Sequence, residues 1–183
     1  MRSSDKTKLI LAEELKRQSR TTQFCRITVG GLCAACNLDR RTFYNHFRDI
    51  YDLAAWIFER SIADCLPKEG ETSGIHEVEE ALSRLKKDAV FYRRALAEDS
   101  QNALGRHMLA HNAGFYTSAL MRLLKTDRLS EDVQFAIYYH CYGSLGMIRK
   151  WLFHDCTPEP AVLARQLLAS MPSALRQLFD PES

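Results

Sequence analysis

The sequence predicts an all-α protein built from two parts. Apolar residues recur at helical spacing in nearly every long segment, whereas no run alternates with the two-residue period of a half-buried strand. The composition, 46% apolar and 26% charged with 8 glycines and 5 prolines, is typical of a folded helical chain and excludes extensive disorder. The 183 residues are enough to bury a core in one unit or in two linked modules.

Two helices are predicted in the first 36 residues. The first runs from about residue 5 to residue 19, with apolar side chains at Ile10, Leu11 and Leu15, and the polar stretch 20–26 ends it. The second begins after Thr28, because a threonine hydroxyl satisfies the backbone N–H groups of the next turn. Gly30 and Gly31 stand in its first turn. We therefore expect this helix to be loosely formed, or to let its backbone approach a phosphate closely.

A tight turn and two more helices follow. Asn37 tolerates the left-handed conformation that a turn between helices requires. Asp39 is placed to cap a third helix that runs to about His46. A fourth helix starts near Asp49 and ends before Pro67, with its inward side chains at Ile50, Leu53, Ala54, Ile57 and Phe58.

A linker and a difference in charge divide the chain. Residues 67–74, PKEGETSG, have the composition of a linker, which predicts one domain over residues 1–66 and another over residues 67–183. The first 60 residues carry a net charge of +4, whereas residues 61–183 carry −2. The basic N-terminal part is suited to contact with phosphate.

The second domain is predicted to consist of further helices: one marked by Ile75, Val78, Leu82 and Leu85, then Phe91–Ala97, Leu104–Leu124 and Glu131–Phe153. The polar stretch 98–102 is expected to form a bend. Thr157 and Pro158 are expected to cap and open a last helix. Pro172 should kink or restart that helix, which closes near Phe179.

Residues 28–47 have the spacing of a helix-turn-helix, in which one helix braces on the DNA backbone and a second presents its N-terminal residues to the major groove. One set of side chains can pack together: Leu32, Cys33, Cys36, Leu38, Phe43 and Phe47. A second set then faces outward: Arg40, Arg41, Thr42, Tyr44, Asn45 and His46. This outward set is rich in groups that pair with phosphate or base edges.

The segment ITVGGLCAACNLDRRTFYNHFRDIYDL closely resembles the pattern of the TetR family, T-x-x-x-[IL]-A-x-x-[AC]-[GN]-[VIL]-x-x-x-[TS]-[FL]-Y-x-[HY]-F. The resemblance implies that Tyr44 and His46 contact phosphate, and that Arg40, Arg41 and Asn45 read bases. Many members place a lysine where this chain has Ile50, so Arg48 is expected to replace that contact. The predicted DNA-binding set is Thr28, Arg40, Arg41, Thr42, Tyr44, Asn45, His46 and Arg48.

A branch of the family is indicated by two further stretches. DIYDL, residues 49–53, and GSLGMIRKWL, residues 143–152, look like regulators of dihydroxyacetone kinase operons. The resemblance implies a C-terminal domain that dimerises and holds a small-molecule effector, with no cofactor and no metal. The predicted function is a cytoplasmic homodimeric repressor that binds a double-stranded DNA operator and is controlled by an unknown effector.

The dimer interface is expected in the last two long helices. Residues 133–152 are apolar around most of the helix, and the small residues Gly143, Ser144 and Gly146 permit close approach of a neighbour. The last segment offers further candidates for this interface: Leu163, Leu167 and Leu175. An ordinary core within one chain remains the alternative.

An effector cavity is expected to be mostly aromatic with a few polar groups. The candidate ligand-binding residues are Phe91, His107, Phe115, Tyr116, Tyr139, His140, Tyr142 and Trp151. Plain core packing is the alternative for each of them. His107 and His111, four residues apart, suit a metal pair or a solvated or cavity-lining pair. Cys33 and Cys36 form a C-x-x-C, but no second pair at suitable spacing accompanies them, which favours small core side chains.

Two other functions stay open. One is a helical enzyme, dependent on a metal or a small molecule, that uses the histidines and cysteines of the second domain, although the chain has no Gly-rich phosphate loop and no nucleophile elbow. The other is a regulator controlled by redox state or by a protein partner. The polar N-terminus has no apolar core of a signal peptide, and His140, Arg149 and Lys150 interrupt the most apolar stretch. No membrane contact is therefore expected.

Overall fold

The computed structural model describes residues 3–65, 74–97 and 104–179. Within these ranges the regular structure is helical and no strand occurs, which confirms the all-α fold. The α-helices are α1 (Ser3–Ser19), α2 (Val29–Ala35), α3 (Arg40–Tyr44), α4 (Ile50–Ile62), α5 (Ile75–Lys87), α6 (Ala89–Ala97), α7 (Leu104–Leu123), α8 (Glu131–Phe153), α9 (Pro160–Ala169) and α10 (Ser173–Arg176). Two 3₁₀ turns, Phe24–Arg26 and Ala63–Cys65, complete the order. The predicted linker and the bend at 98–102 lie outside the described residues, except for Gly74.

The chain forms two compact units. The N-terminal unit comprises residues 1–60 and 88–104, and the C-terminal unit comprises residues 61–87 and 105–183. Helix α6 thus belongs to the N-terminal unit, although it follows α5 of the C-terminal unit in the chain. Local composition reveals linkers but not such long-range packing, so a division at residue 66 does not describe these units.

The N-terminal unit is built around buried side chains from α1, α2, α3, α4 and α6: Leu11, Leu15, Leu32, Phe43, Leu53 and Tyr92. Phe24 joins them from the 3₁₀ turn, with its ring centroid 6.2 Å from that of Phe91. Lys16 on α1 forms an ion pair of 2.6 Å with Asp88, next to the start of α6. Burial alone would lower the pKa of Lys16, but the ion pair with Asp88 outweighs it and raises that pKa.

The caps predicted from the sequence are confirmed. The Gly31 backbone N–H donates to Thr28 Oγ1 over 3.1 Å at the start of α2, and the Thr42 backbone N–H donates to Asp39 Oδ1 over 2.6 Å at the start of α3. Asn37 between them has a φ of 53°. This left-handed residue lets the chain reverse between two short helices.

The C-terminal unit packs α5 against α9 and α8 against α10. Lys86 on α5 and Glu159 before α9 form an ion pair of 2.8 Å. A second buried cluster joins α7, α8 and the C-terminal segment: Ala113, Leu120, Leu129, Ile137, Cys141, Met171 and Leu175.

Three expectations are corrected. The last long helix begins at Pro160 and not at Pro158, because a residue that precedes a proline is pushed out of the helical region, and Glu159 precedes Pro160. Phe24 lies in a stretch predicted to be a polar loop, yet it is 2% exposed. Leu163 and Leu175 are buried within the C-terminal unit itself, so neither side chain is available to a partner subunit. The predicted restart at Pro172 is confirmed, since Pro172 precedes α10.

Among the described residues, no helix is both long enough and apolar enough to cross a membrane.

Candidate nucleic-acid interface

Helices α2 and α3 form the helix-turn-helix. The turn between them is closed by two backbone hydrogen bonds, from Leu38 N to Cys33 O over 2.9 Å and from Asn37 N to Ala34 O over 3.2 Å. The hydrogen bond from the Thr42 backbone lowers the pKa of Asp39, so this cap stays charged at neutral pH. The N-terminal turn of α3 is therefore held in place by local hydrogen bonds.

The inner side of α3 is anchored by one ring. Phe43 is fully buried, and its ring centroid lies 5.7 Å from that of Phe47. Phe47 in turn packs edge-on against Trp56 of α4 at 5.9 Å. The predicted packing role of Phe43 and Phe47 is confirmed.

The outer side of α3 carries the predicted DNA-binding groups. The side chains of Arg40, Arg41 and Asn45 are exposed, as is Thr28 at the start of α2. Tyr44 is 51% exposed, although one edge of its ring rests on Phe43. The remaining two predicted members of this surface, Thr42 and His46, are half-buried. The structure thus brings these residues together on one side of α3 and at its flanks, and their contact with DNA stays a prediction.

Arg48 lies in the turn before α4 and is held by a carboxylate. Its backbone N–H and its guanidinium both donate to Asp52, over 2.9 Å and 3.0 Å. The hydrogen bond to Asp52 raises the pKa of Arg48, and the side chain is 87% exposed. Ile50, where relatives carry a lysine, is buried and faces the core. Arg48 is therefore the available cation at this position.

A cationic support for α4 was missed by sequence reasoning. Lys8 Nζ lies 5.8 Å from the ring centroid of Phe47 and 5.9 Å from that of Trp56. The guanidinium of Arg60 lies 5.6 Å from the Trp56 ring. Such contacts of cations with aromatic faces contribute about 0.5–1 kcal/mol each at exposed sites. The i, i+4 spacing of Trp56 and Arg60 was a signal for one of them.

The two glycines of α2 are predicted to respond differently to substitution. A Cβ on Gly30 would meet no atom within 4 Å, whereas a Cβ on Gly31 would lie 3.2 Å from Thr28 Oγ1, the capping oxygen. Gly30→Ala should therefore raise the free energy of unfolding by about 0.5 kcal/mol, because alanine loses less backbone entropy. Gly31→Ala should give no such gain. Urea denaturation of both variants tests this, and a destabilising Gly30→Ala would contradict it.

A small polar group lies in the C-terminal unit between α7 and α8. The Tyr116 hydroxyl is 3.3 Å from His140 Nε2, and the Ser144 hydroxyl is 3.4 Å from the same atom. Burial raises the pKa of Tyr116 and lowers the pKa of His140, so both side chains are neutral at pH 7. Neighbouring Cys141 has its pKa raised to about 11 by burial. This is the one part of the predicted ligand-binding set in which side chains meet across two helices of the described chain.

The other candidate ligand-binding residues lie apart. Phe91 belongs to the core of the N-terminal unit. Trp151 is buried, and its indole N–H donates to Pro158 O over 2.6 Å. Tyr139 is 67% exposed and stacks on Phe135. Phe115 contacts its neighbour Tyr116. Their role in ligand binding stays a prediction.

The histidine pair and the cysteines also have defined places. The ring centroids of His107 and His111 are 6.5 Å apart. Over the described ranges, no three or more His, Cys, Asp or Glu side chains are grouped as metal ligands. All six cysteines are free thiols. Burial raises the pKa of Cys33 and of Cys36, which makes both poor nucleophiles.

These features define a helix-turn-helix protein whose second helix presents cationic and hydrogen-bonding side chains outward. The model of the TetR-type family described as the transcriptional regulator C-terminal region matches residues 76–173, just over half of the chain. The chain belongs to the TetR family of transcription regulators, as its N-terminal motif predicted.

Similar proteins include regulators of dihydroxyacetone kinase operons, the branch predicted from the sequence. The dhaKLM operon transcriptional activator DhaS of Lactococcus lactis subsp. lactis (strain IL1403) is 27% identical over 100 residues, which are 54% of this chain and 54% of that protein. The match thus spans about half the length of that relative. A solved structure of the dihydroxyacetone kinase operon activator DhaS has a TM-score of 0.65 at 20% identity, and the alignment covers 93% of this chain and 96% of that one. This likeness shows a shared fold.

Proposed function

We propose that this protein is a sequence-specific DNA-binding transcription regulator that acts as a homodimer. The observation that carries the proposal is the row of exposed side chains on a helix anchored by a buried ring: Arg40, Arg41, Tyr44 and Asn45 around Phe43. Guanidinium and amide groups pair with base edges in the major groove, and hydroxyl and imidazole groups pair with phosphate. A dimer would place two α3 helices roughly 34–36 Å apart on a near-palindromic site.

Affinity for the DNA upstream of its own gene tests this proposal. Fluorescence anisotropy is expected to show tight binding by the wild-type protein that weakens steeply as salt is raised, because phosphate contacts release counterions. The Arg40→Ala, Tyr44→Ala double variant should bind about 100-fold more weakly, since each good base contact contributes about 1–3 kcal/mol.

Arg122→Ala is the matched control for this experiment. Arg122 is an exposed arginine near the end of α7 in the C-terminal unit, so its removal changes the net charge without touching the helix-turn-helix. Its affinity should equal that of the wild-type protein. A folded double variant that binds as tightly as this control would refute the role of α3.

The direction of regulation is part of the proposal. The sequence predicted a repressor, whereas the relatives are named activators. We therefore propose activation as the first hypothesis. Deleting the gene should lower expression from a reporter that carries the upstream region. A rise in expression would instead support repression.

Control by a small molecule is proposed for the C-terminal unit. Tyr116, His140 and Ser144 supply hydroxyl and imidazole groups within an otherwise apolar cluster, which is the chemistry that orients a ligand. Such a ligand must bind the two DNA-affinity states unequally, because equal binding shifts nothing. Substitution of Tyr116 by Phe should then weaken the response to ligand and leave DNA affinity intact. A DNA affinity that responds to mild oxidant and to no ligand would favour the redox-controlled alternative.

A further inference from the structure

One face of α8 carries an exposed row of aromatic side chains. Phe135 is 71% exposed, Tyr138 52%, Tyr139 67% and Tyr142 62%, and Phe153 at the far end is 44% exposed. At 100° per residue these positions fall on a single side of the helix. Large apolar side chains concentrated in this way mark an interaction surface, since scattered single ones need no explanation.

The C-terminal half of the same face is small and cationic. A Cβ on Gly143 or on Gly146 would meet no atom within 4 Å, so the surface has a notch there. Arg149 and Lys150 are exposed, and the Arg149 guanidinium lies 5.8 Å from the ring centroid of Phe153. The N-terminal half is thus bulky and aromatic, whereas the C-terminal half offers a notch and two cations.

The two halves complement each other when the face meets a second copy of itself. In an antiparallel pair of identical helices with two-fold symmetry, residues equidistant from the crossing point lie opposite one another. A crossing at the level of residue 144 places Tyr142 opposite Gly146, Tyr139 opposite Arg149, Tyr138 opposite Lys150 and Phe135 opposite Phe153. Each pair joins a ring with a notch, a ring with a cation, or two rings.

Other crossing points pair the face less completely. A crossing at Gly146 places Phe135 and Tyr138 opposite residues 157 and 154, beyond the end of α8. A crossing at Gly143 places Phe135 opposite Trp151, which is buried in its own unit. The crossing at residue 144 is the one among these that pairs every exposed ring with an exposed position of the same helix.

We infer that α8 pairs antiparallel with α8 of a second copy of this chain, with the crossing at residue 144 and Tyr142 seated at Gly146 of the partner. This inference rests on the homodimer of the proposed function and specifies its register. The row from Phe135 to Phe153 is about 27 Å long. Contact along its full length needs a small crossing angle of about 20°.

Disulfide trapping tests the register directly. Tyr139→Cys and Arg149→Cys proteins, each also carrying Cys25→Ser to remove an exposed native thiol, are mixed, re-equilibrated and oxidised with copper phenanthroline. Each variant alone should not cross-link through its new cysteine, because two copies of residue 139 lie about 15 Å apart along the axis. The mixture should give the 139–149 heterodimer, identified by mass spectrometry. A dimer that yields no such cross-link would overturn the register.

Filling the notch tests the face itself. Gly146→Leu should raise the dimer dissociation constant about tenfold or more in sedimentation equilibrium, because it fills the space that receives Tyr142. Gly114→Leu is the control, since Gly114 on α7 is equally exposed and open. Arg149→Glu, which needs no change in packing, should weaken the dimer as well.

The outcomes separate this inference from the proposed function. Equal dimerisation of the Gly146→Leu and Gly114→Leu proteins would overturn the α8 face, and so would a wild-type monomer at all concentrations. DNA binding by the wild-type protein in either case would leave the helix-turn-helix intact as the DNA-binding element. Weakened dimers for Gly146→Leu and Arg149→Glu, with circular dichroism unchanged, would support the face.

Discussion

Replacing Phe43 with alanine is expected to lower the free energy of unfolding by about 3–5 kcal/mol, the usual cost of removing a fully buried phenyl ring. Phe43 has no exposed surface, and its ring is the contact that holds α3 to Phe47. The cavity would open beneath a helix of only five residues, which has few other contacts with which to compensate. Urea denaturation followed by circular dichroism measures the loss.

The neighbouring residue provides the control for this prediction. Tyr44→Ala removes a ring of similar size that is 51% exposed, so we expect a loss of stability of about 1 kcal/mol or less. The two variants should separate folding from function, because Tyr44→Ala weakens DNA binding in a folded protein. A Phe43→Ala protein as stable as Tyr44→Ala would show that α3 is held by something other than Phe43.

A comparably large effect is expected at Trp151 in the C-terminal unit. Its indole N–H donates to Pro158 O over 2.6 Å and ties the end of α8 to the segment before α9. Trp151→Ala should cost about 3–5 kcal/mol, since it removes a side chain that is 3% exposed. Trp151→Phe keeps most of the ring and leaves the carbonyl of Pro158 without its donor, at a cost of about 1–3 kcal/mol.

The difference between the two Trp151 variants separates packing from hydrogen bonding. Thermal unfolding of both proteins under one set of conditions gives that difference. If Trp151→Phe is as stable as the wild-type protein, the hydrogen bond to Pro158 contributes nothing and the indole serves only as packing. If both variants cost the same, the hydrogen bond carries the whole effect.

The helix-turn-helix was predictable because its signals are local. Thr28 and Asp39 cap helices through hydrogen bonds that span three residues, and Asn37 adopts the left-handed conformation expected of it. The outward position of Arg40 and Arg41 follows from the same short-range geometry. A pattern of side chains within 20 residues is therefore enough to place this surface.

The remaining features depend on contacts between distant residues. Nothing near Phe24 or Asp88 in the sequence shows that they pack with or pair to partners 67 and 72 residues away. An aromatic residue also carries no mark of its exposure. Tyr139 and Trp151 therefore looked like equal candidates for a cavity wall, yet one is exposed and the other is buried.

The central claim is that α3 reads DNA in two symmetric copies, and selection of bound sequences from a random DNA pool tests it most directly. The account predicts enrichment by the wild-type protein of a near-palindromic sequence whose half-sites lie about one helical turn apart. The Arg40→Ala, Tyr44→Ala protein should enrich no such sequence under the same conditions. Absence of enrichment by a folded wild-type protein, or equal enrichment by both proteins, would contradict the account.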